Sequence, residues 1–363
     1  MQKLTASVIG GGFGGGLSLD ALATSDDFEL IAVTDLRPEV CRALEKKFPG
    51  MRSFSDHREM FAVCPTDVVC VSTYPPSHEA ITFDALELPR ELPLRGILVE
   101  KPLGHTVASG RRILEAIRAK NLPVAVPHNL LAKDAPLQIL ERVRAGEIGN
   151  LRLLEVQCAP WDVMNAGIHW AHFFVMLSQP DPLEWVMAMC DAGTCTYRDG
   201  MQVETIAVTY AQTQSGVRFV MNTGDHVNVD PAAGGFETLF RIVGTHGLIE
   251  YPAWSERFRI LNAAHPHGEE VHVPDGPVNG HRRHLEQLAE QIHTGQIRNA
   301  QPDWTMIESS LLALEVCEGA YLSSQHRAQV RFPIHEFVPP ASNDWQPGQP
   351  YSGVGGGRDG RKL

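Results

Sequence analysis

The sequence predicts two domains: an α/β N-terminal domain on a doubly wound parallel sheet, and a C-terminal α+β domain on a large open mixed or antiparallel sheet. Three observations carry this prediction. Up to about residue 127, short apolar β-type runs alternate with helical stretches, the pattern of βαβ units. After Leu130, strand-like runs follow one another with turn residues between them. Two longer helical patterns, near 281–294 and 303–325, then close the second domain.

Taken in order, the first strands are 4–9, 29–34, 67–72, 96–100 and 123–126, whose near-continuous apolar character suits burial on both faces. Helices are expected near 14–24, 38–47, 76–88 and 106–119. Pro38 and Pro76 lie near two of their starts, where a helix has no use for the missing amide. A helix near 133–145 ends in the turn Gly146 to Gly149, and strands follow at 151–158, 183–190, 203–211, 216–222, 236–243 and 247–252. The expected division is 1–127, 128–338, and a Pro- and Gly-rich tail, 339–363, with no core of its own.

Composition narrows the function. With 363 residues, 43% hydrophobic and 20% charged, the chain can bury two cores and is expected to be soluble and globular. Its 31 Lys and Arg against 43 Asp and Glu give a formal charge of −12, which disfavours a nucleic-acid partner, since phosphate neutralisation needs surplus cations. No run approaches the roughly 18 apolar residues of a membrane span. With strand-like sequence from Leu4, no leader is expected. The seven cysteines are scattered without a CxxC pair, which fits a reducing cytoplasm. A small molecule is the expected partner.

The first strand runs into Gly10-Gly11-Gly12-Phe13-Gly14-Gly15-Gly16, in which Gly10, Gly12 and Gly15 fill a G-x-G-x-x-G. Such glycines permit a tight turn, close approach to a pyrophosphate and tight packing of the following helix, whose N-terminus favours an anion. Asp35 ends the second strand about 20 residues further on, where a carboxylate accepts hydrogen bonds from an adenosine ribose. This is the combined signature of a Rossmann dinucleotide site. An Asp there repels a 2′-phosphate, so NAD is expected over NADP. NADP stays open because the Arg37 guanidinium can pair with a phosphate.

The fourth strand ends in Val99-Glu100-Lys101-Pro102, at the sheet edge where ligands of such folds bind, and Pro102 holds Lys101 extended. Further along, Asn165-Ala166-Gly167-Ile168-His169-Trp170-Ala171-His172-Phe173 opens a helical run in which His169, His172, Phe173 and Met176 share one face. An imidazole with a pKa near ~6.5 exchanges protons at physiological pH. The competing reading is a core stripe of satisfied histidines. Trp161 and Trp170 are candidate platforms for a sugar ring. No metal is expected, because no carboxylate in a zinc motif accompanies His169 and His172. His265, His267, His281 and His284 are expected in solvated loop and helix-start positions.

The glycine loop, Asp35, the Thr73-Tyr74-Pro75-Pro76-Ser77-His78 segment and the Glu-Lys-Pro motif together resemble the glucose-fructose oxidoreductase, inositol dehydrogenase and rhizopine catabolism family, written Gfo/Idh/MocA, over roughly Leu4 to Pro333. The resemblance implies that Lys101 lies beside the nicotinamide and the substrate hydroxyl. It implies cofactor contacts from the segments holding Thr73, Pro75, His78 and Glu100, and from Asn129. Many members carry D-x-G-x-H-x-x-D where this chain has Gly167 and His169, with Asn165 and His172 in the two acidic places. Asn cannot act as a base, so proton transfer is expected to rest on Lys101 and His169, supplemented by His172. The expected activity is NAD-dependent oxidation of a secondary hydroxyl of a sugar, polyol or glycoside. The alternatives are NAD-assisted elimination or hydrolysis of a glycoside, and a non-catalytic dinucleotide-dependent sensor. Alternating strands that leave an apolar face uncovered predict a homodimer or homotetramer.

Overall fold

The computed structural model describes residues 2–88, 94–194, 196–225, 227, 238–298, 301–335 and 337–339. The expected tail from residue 340 onward, and residues 236 and 237 of an expected strand, lie outside the described residues. The first half runs β1 (Leu4–Ile9), α1 (Phe13–Thr24), β2 (Phe28–Thr34), α2 (Pro38–Lys47), β3 (Arg52–Phe54), α3 (His57–Val63), β4 (Val68–Val71), α4 (Pro75–Leu86), β5 (Gly96–Val99), α5 (Val107–Ala119) and β6 (Val124–Ala125). Its six strands pair in the order β3-β2-β1-β4-β5-β6, all parallel. The order reverses between β1 and β4, which opens a crevice at their carboxyl ends.

Successive side chains of a strand point to opposite faces, so a sheet covered on both sides needs apolar residues at every position. Val69 and Val71 of β4 pack with Ile97 and Val99 of β5 into one core. Val68, Cys70 and Leu98 pack into the core on the other face. Helix ends are set locally: Pro38 and Pro75 start α2 and α4, the Asp56 carboxylate accepts from the Arg58 and Glu59 amides at α3, and Thr106 with Ser109 forms a capping box on α5. A cap of this kind contributes about 1 kcal/mol.

The second half contains α6 (Asp134–Arg144), β7 (Leu151–Cys158), α7 (Ile168–Ser178), β8 (Leu183–Cys190), β9 (Thr196–Arg198), β10 (Met201–Val203), β11 (Ile206–Thr213), β12 (Arg218–Gly224), β13 (Thr238–Gly244), β14 (Gly247–Pro252), β15 (Arg257–Asn262), β16 (Glu269–His272), α8 (Gly280–Arg298), α9 (Thr305–His326) and β17 (Val330–Arg331). Nine strands form a mixed sheet, β16-β15-β14-β13-β7-β12-β11-β8-β17, in which β7 and β12 run parallel. The β9–β10 hairpin stands apart. One face of the large sheet packs on α7 and α9 through Phe173, Phe174, Phe219 and Phe240, among others.

The sequence pattern leaves β3 and α3 unmarked, together with β9, β10 and β15 to β17. Most are short, and β15 and β16 interleave charged with apolar residues. A second correction concerns His281 and His284, expected to be solvated: they are 4% and 3% exposed. The reason is tertiary. Leu285, Leu288, Ala289 and Ile292 of α8 join the core under β1, β4 and α1, so the helix start is driven into the seam between the domains. Among the described residues, no helix is long and apolar enough to cross a membrane.

Candidate active site

The glycine loop occupies the crevice between β1 and β4. Gly10 has φ +97°, and a Cβ there would lie 2.3 Å from the Ser72 carbonyl oxygen; one on Gly15 would lie 1.7 Å from the Gly10 carbonyl oxygen. Only glycine fits either place. Gly12 caps α1 without a side-chain hydrogen bond, so the first-turn amides are open to an anion. Phe13 is exposed beside them, and Glu100 lies against Gly14.

At the end of β2 the Asp35 carboxylate accepts from the Gly11 amide at 2.8 Å, from the Arg37 amide at 2.9 Å, and from Arg37 Nε and Nη2 at 3.0 and 3.1 Å. Burial alone would raise its pKa, but the Arg37 and Gly11 hydrogen bonds outweigh it and hold the carboxyl below its usual range. The cradle that side chains would fill, the open helix start and the ionised carboxylate together fit a dinucleotide.

The other expected contact segments line the same edge. Thr73 Oγ1 accepts from Ser77 Oγ at 2.7 Å, and Pro75 begins α4. Buried His78 bridges two loops, with Nε2 2.9 Å from the Thr73 carbonyl and Nδ1 3.0 Å from the Pro102 carbonyl. Glu100 accepts from the Lys101 amide at 3.0 Å, and burial pushes its pKa up to about 7. His281 Nε2 lies 3.3 Å from Glu100 Oε1, and its Nδ1 lies 3.0 Å from Ser18 Oγ of α1.

Lys101 crosses from the first domain to the second. Its Nζ donates to the Asn165 carbonyl at 2.9 Å, within a π-helical turn, Val163–Gly167, that leads into α7. Burial lowers the lysine's pKa, against the pull of Glu100, Asp199 and Asp162. Asp162 is one residue that sequence reasoning missed. Its buried carboxylate accepts from the Asn165 amide at 2.8 Å and from Asn165 Nδ2 at 3.0 and 3.1 Å, and pairs with Arg198 at 3.2 Å. Thus the negative charge absent at position 165 is supplied from three residues earlier. The available signal was an Asp three residues ahead of Asn165 at a helix start, the spacing of an N-cap. Glu204 anchors the same turn, accepting from the Val163 amide at 2.7 Å and from Tyr321 Oη at 2.8 Å.

His169 lies one turn beyond Asn165. Burial, then the nearby Lys101, holds its pKa well below the ordinary value, so the imidazole is neutral. His128, not singled out from sequence, meets it edge-on at 5.4 Å and stacks on His172 at 3.9 Å. His172 is fully enclosed, with its Nε2 2.9 Å from Ser309 Oγ and its pKa lowered to about 3 by burial. Ser309 Oγ itself donates to the Met306 carbonyl, so His172 Nε2 carries the proton. Nδ1 of His128, His169 and His172 and Oδ1 of Asn129 are buried without a hydrogen-bond partner among the described residues. Among those residues, no three His, Cys, Asp or Glu side chains form a group able to hold a metal ion.

The aromatic candidates separate. Trp161 is 38% exposed, with the Arg198 guanidinium 4.5 Å over its ring. Trp170, expected as a stacking platform, is 1% exposed and packs on Phe240 and Trp254, so it offers no face to a sugar. That expectation is corrected: the exposed ring in front of it is Trp254.

Residues 4–128 match the family model GFO_IDH_MocA, described as an oxidoreductase family with an NAD-binding Rossmann fold. Residues 4–128 are therefore an NAD-binding Rossmann domain. Beyond it, the chain is 28% identical over 242 residues to an inositol 2-dehydrogenase of Burkholderia multivorans, covering 64% of this chain and 68% of that one. It is 27% identical over 150 residues to a D-apiose dehydrogenase of Paraburkholderia graminis, covering 41% of this chain and only 39% of that relative's length. In structure it resembles an aldose-aldose oxidoreductase from Caulobacter crescentus complexed with glycerol, with a TM-score of 0.74 at 19% identity over 91% of this chain and 100% of that one. The match to the Gfo/Idh/MocA family is carried by the N-terminal domain, residues 4–128.

Proposed function

We propose that the protein is an NAD-dependent dehydrogenase of the cytoplasm that oxidises a secondary hydroxyl of a sugar, polyol or glycoside. The observation that carries this reading is the approach of Lys101, from the carboxyl edge of the NAD-binding sheet, to within 2.9 Å of the Asn165 carbonyl, one turn before His169. Two bases of depressed basicity are thereby brought together from separate domains. NAD, when bound, supplies the hydride acceptor. Gly10 to Gly15 and the α1 N-terminus would hold its pyrophosphate, and Asp35 its adenosine ribose.

Neutral Lys101 or His169 takes the hydroxyl proton. Asp162 fixes Asn165, which in turn orients the lysine. His128 braces the His169 ring and His172 stacks on His128, and their hydrogen bonds to Ser310 and Ser309 keep them in place. Relatives that act on inositol and apiose support a carbohydrate or polyol substrate.

The test is a screen of uncharged sugars, cyclitols and glycosides for NADH absorbance. Accumulation of NADH with at least one of them is expected. NAD binding with no NADH from any compound would reject the reading, and consumption of a glycoside without NADH would favour elimination or hydrolysis instead.

A further inference from the structure

Trp254 has a backbone that a tryptophan rarely adopts. It lies in the turn between β14 and β15, closed by the Ser255 amide donating to the Pro252 carbonyl at 3.1 Å, and its φ is +66°. Glycine and asparagine suit this conformation far better than a bulky aromatic, and residues kept in it against their preference cluster at functional sites. Here the consequence is a ring set edge-on against His169, at 6.0 Å and 83°, and tilted on Trp170 at 5.7 Å. The ring remains 42% exposed while Trp170 behind it is enclosed.

Around Lys101 stands a charged group centred on Asp162. Arg198 ends β9 and is committed to the buried Asp162 carboxylate, with its guanidinium over Trp161. Asp199 follows it and acts on Lys101 as a further negative charge. A carboxylate or phosphate on the substrate would thus meet an arginine already paired and two acids. An uncharged ring, by contrast, has an apolar C–H face that a partly exposed indole covers well.

We propose that Trp254 is the specificity-determining residue of this site, stacking on the C–H face of an uncharged ring substrate, a pyranoside or cyclitol, beside His169. The proposal rests on the dehydrogenase reading and narrows it: open-chain polyols and sugar acids are excluded as preferred substrates.

Rates of NADH formation on methyl hexopyranosides and myo-inositol, on the open-chain hexitols, and on hexuronates test it, in the parent and in Trp254→Asn and Trp254→Phe. Asn is chosen because it tolerates the left-handed backbone. NAD affinity, read by calorimetry, reports that each variant is folded. The parent is expected to prefer an uncharged ring. Trp254→Asn should raise KM for it by about tenfold, the scale of one lost stacking contact, with little change in kcat, and Trp254→Phe should recover most of the loss. A parent preference for hexitols or hexuronates overturns the proposal and leaves the dehydrogenase reading standing. An unchanged KM on the preferred ring in Trp254→Asn does the same. No NADH from any compound removes the dehydrogenase reading itself, and this proposal with it.

Discussion

In the proposed dehydrogenase reaction Lys101 and His169 divide one task from two domains, and burial lowers the pKa of each. A buried base stays neutral at a pH where its free counterpart is charged, which is the state that accepts a proton. Lys101→Met and His169→Ala are each expected to slow turnover by about 10² to 10⁴-fold with NAD affinity largely kept, as measured by steady-state rates and calorimetry. Near-parental turnover in either would move the chemistry elsewhere. Since the base must be deprotonated, kcat/KM for oxidation should rise with pH along a limb below the ordinary lysine range of ~10.4, and Lys101→Met should lose that limb. His172→Ala should be milder on turnover, because that ring lies behind His128 and holds Ser309. At the cofactor end, NAD should bind more tightly than NADP, and Asp35→Ala should narrow the gap. Equal affinities in the parent would mean that Arg37, already on the carboxylate in two places, cancels its repulsion.

At the scale of elements, β8 and β11 present one apolar face to solvent. Met187 and Met189 of β8 point outward beside Tyr210 and Val208 of β11, and Met189 is 80% exposed. A row of this kind is what a second copy would cover. Sedimentation should report a dimer or larger, and Met189→Lys with Val208→Lys should shift it toward a monomer of 40.0 kDa. A parent that sediments as a monomer at micromolar concentration would reject the interface. Sequence made the alternation on these strands legible, since Met187 and Met189 sit two apart. It did not reveal the β9–β10 hairpin, whose Gly200 approaches Tyr74 of the first domain, because its two three-residue strands carry too little pattern to read.

The whole molecule carries its buried histidines as a liability in acid. Burial holds His78, His128, His169, His172, His281 and His284 below the ordinary value, with His172 and His281 near about 3 and His284 near about 4. Each takes a proton in the unfolded chain at about pH 6.5 and in the folded one only at its lowered pKa. Their contribution is therefore complete above about pH 6.5 and is lost as pH falls, at about 1.4 kcal/mol per pH unit for each group. Glu100, Glu204 and Glu315 act in the opposite sense, since burial raises their pKa values and their contribution fades as pH rises. Six depressed histidines outnumber three raised glutamates, so the urea midpoint should fall from pH 7.5 to pH 5. A midpoint that rises over that interval would mean that these rings are charged in the fold.

By itself the sequence determined the alternation of the longer strands and helices in the first domain, the glycine loop, and the places of Asp35 and Lys101 at the carboxyl edge. These depend on neighbours a few residues away: apolar runs choose strands, a missing Cβ permits the Gly10 turn, and strand length sets where Lys101 emerges. Tertiary structure decided the rest. It set Lys101 against the Asn165 carbonyl, enclosed Trp170 behind Trp254, and drove His281 and His284 under the first sheet. Each outcome joins residues or elements far apart in the chain, and close packing settles which side chain is covered and which is left exposed.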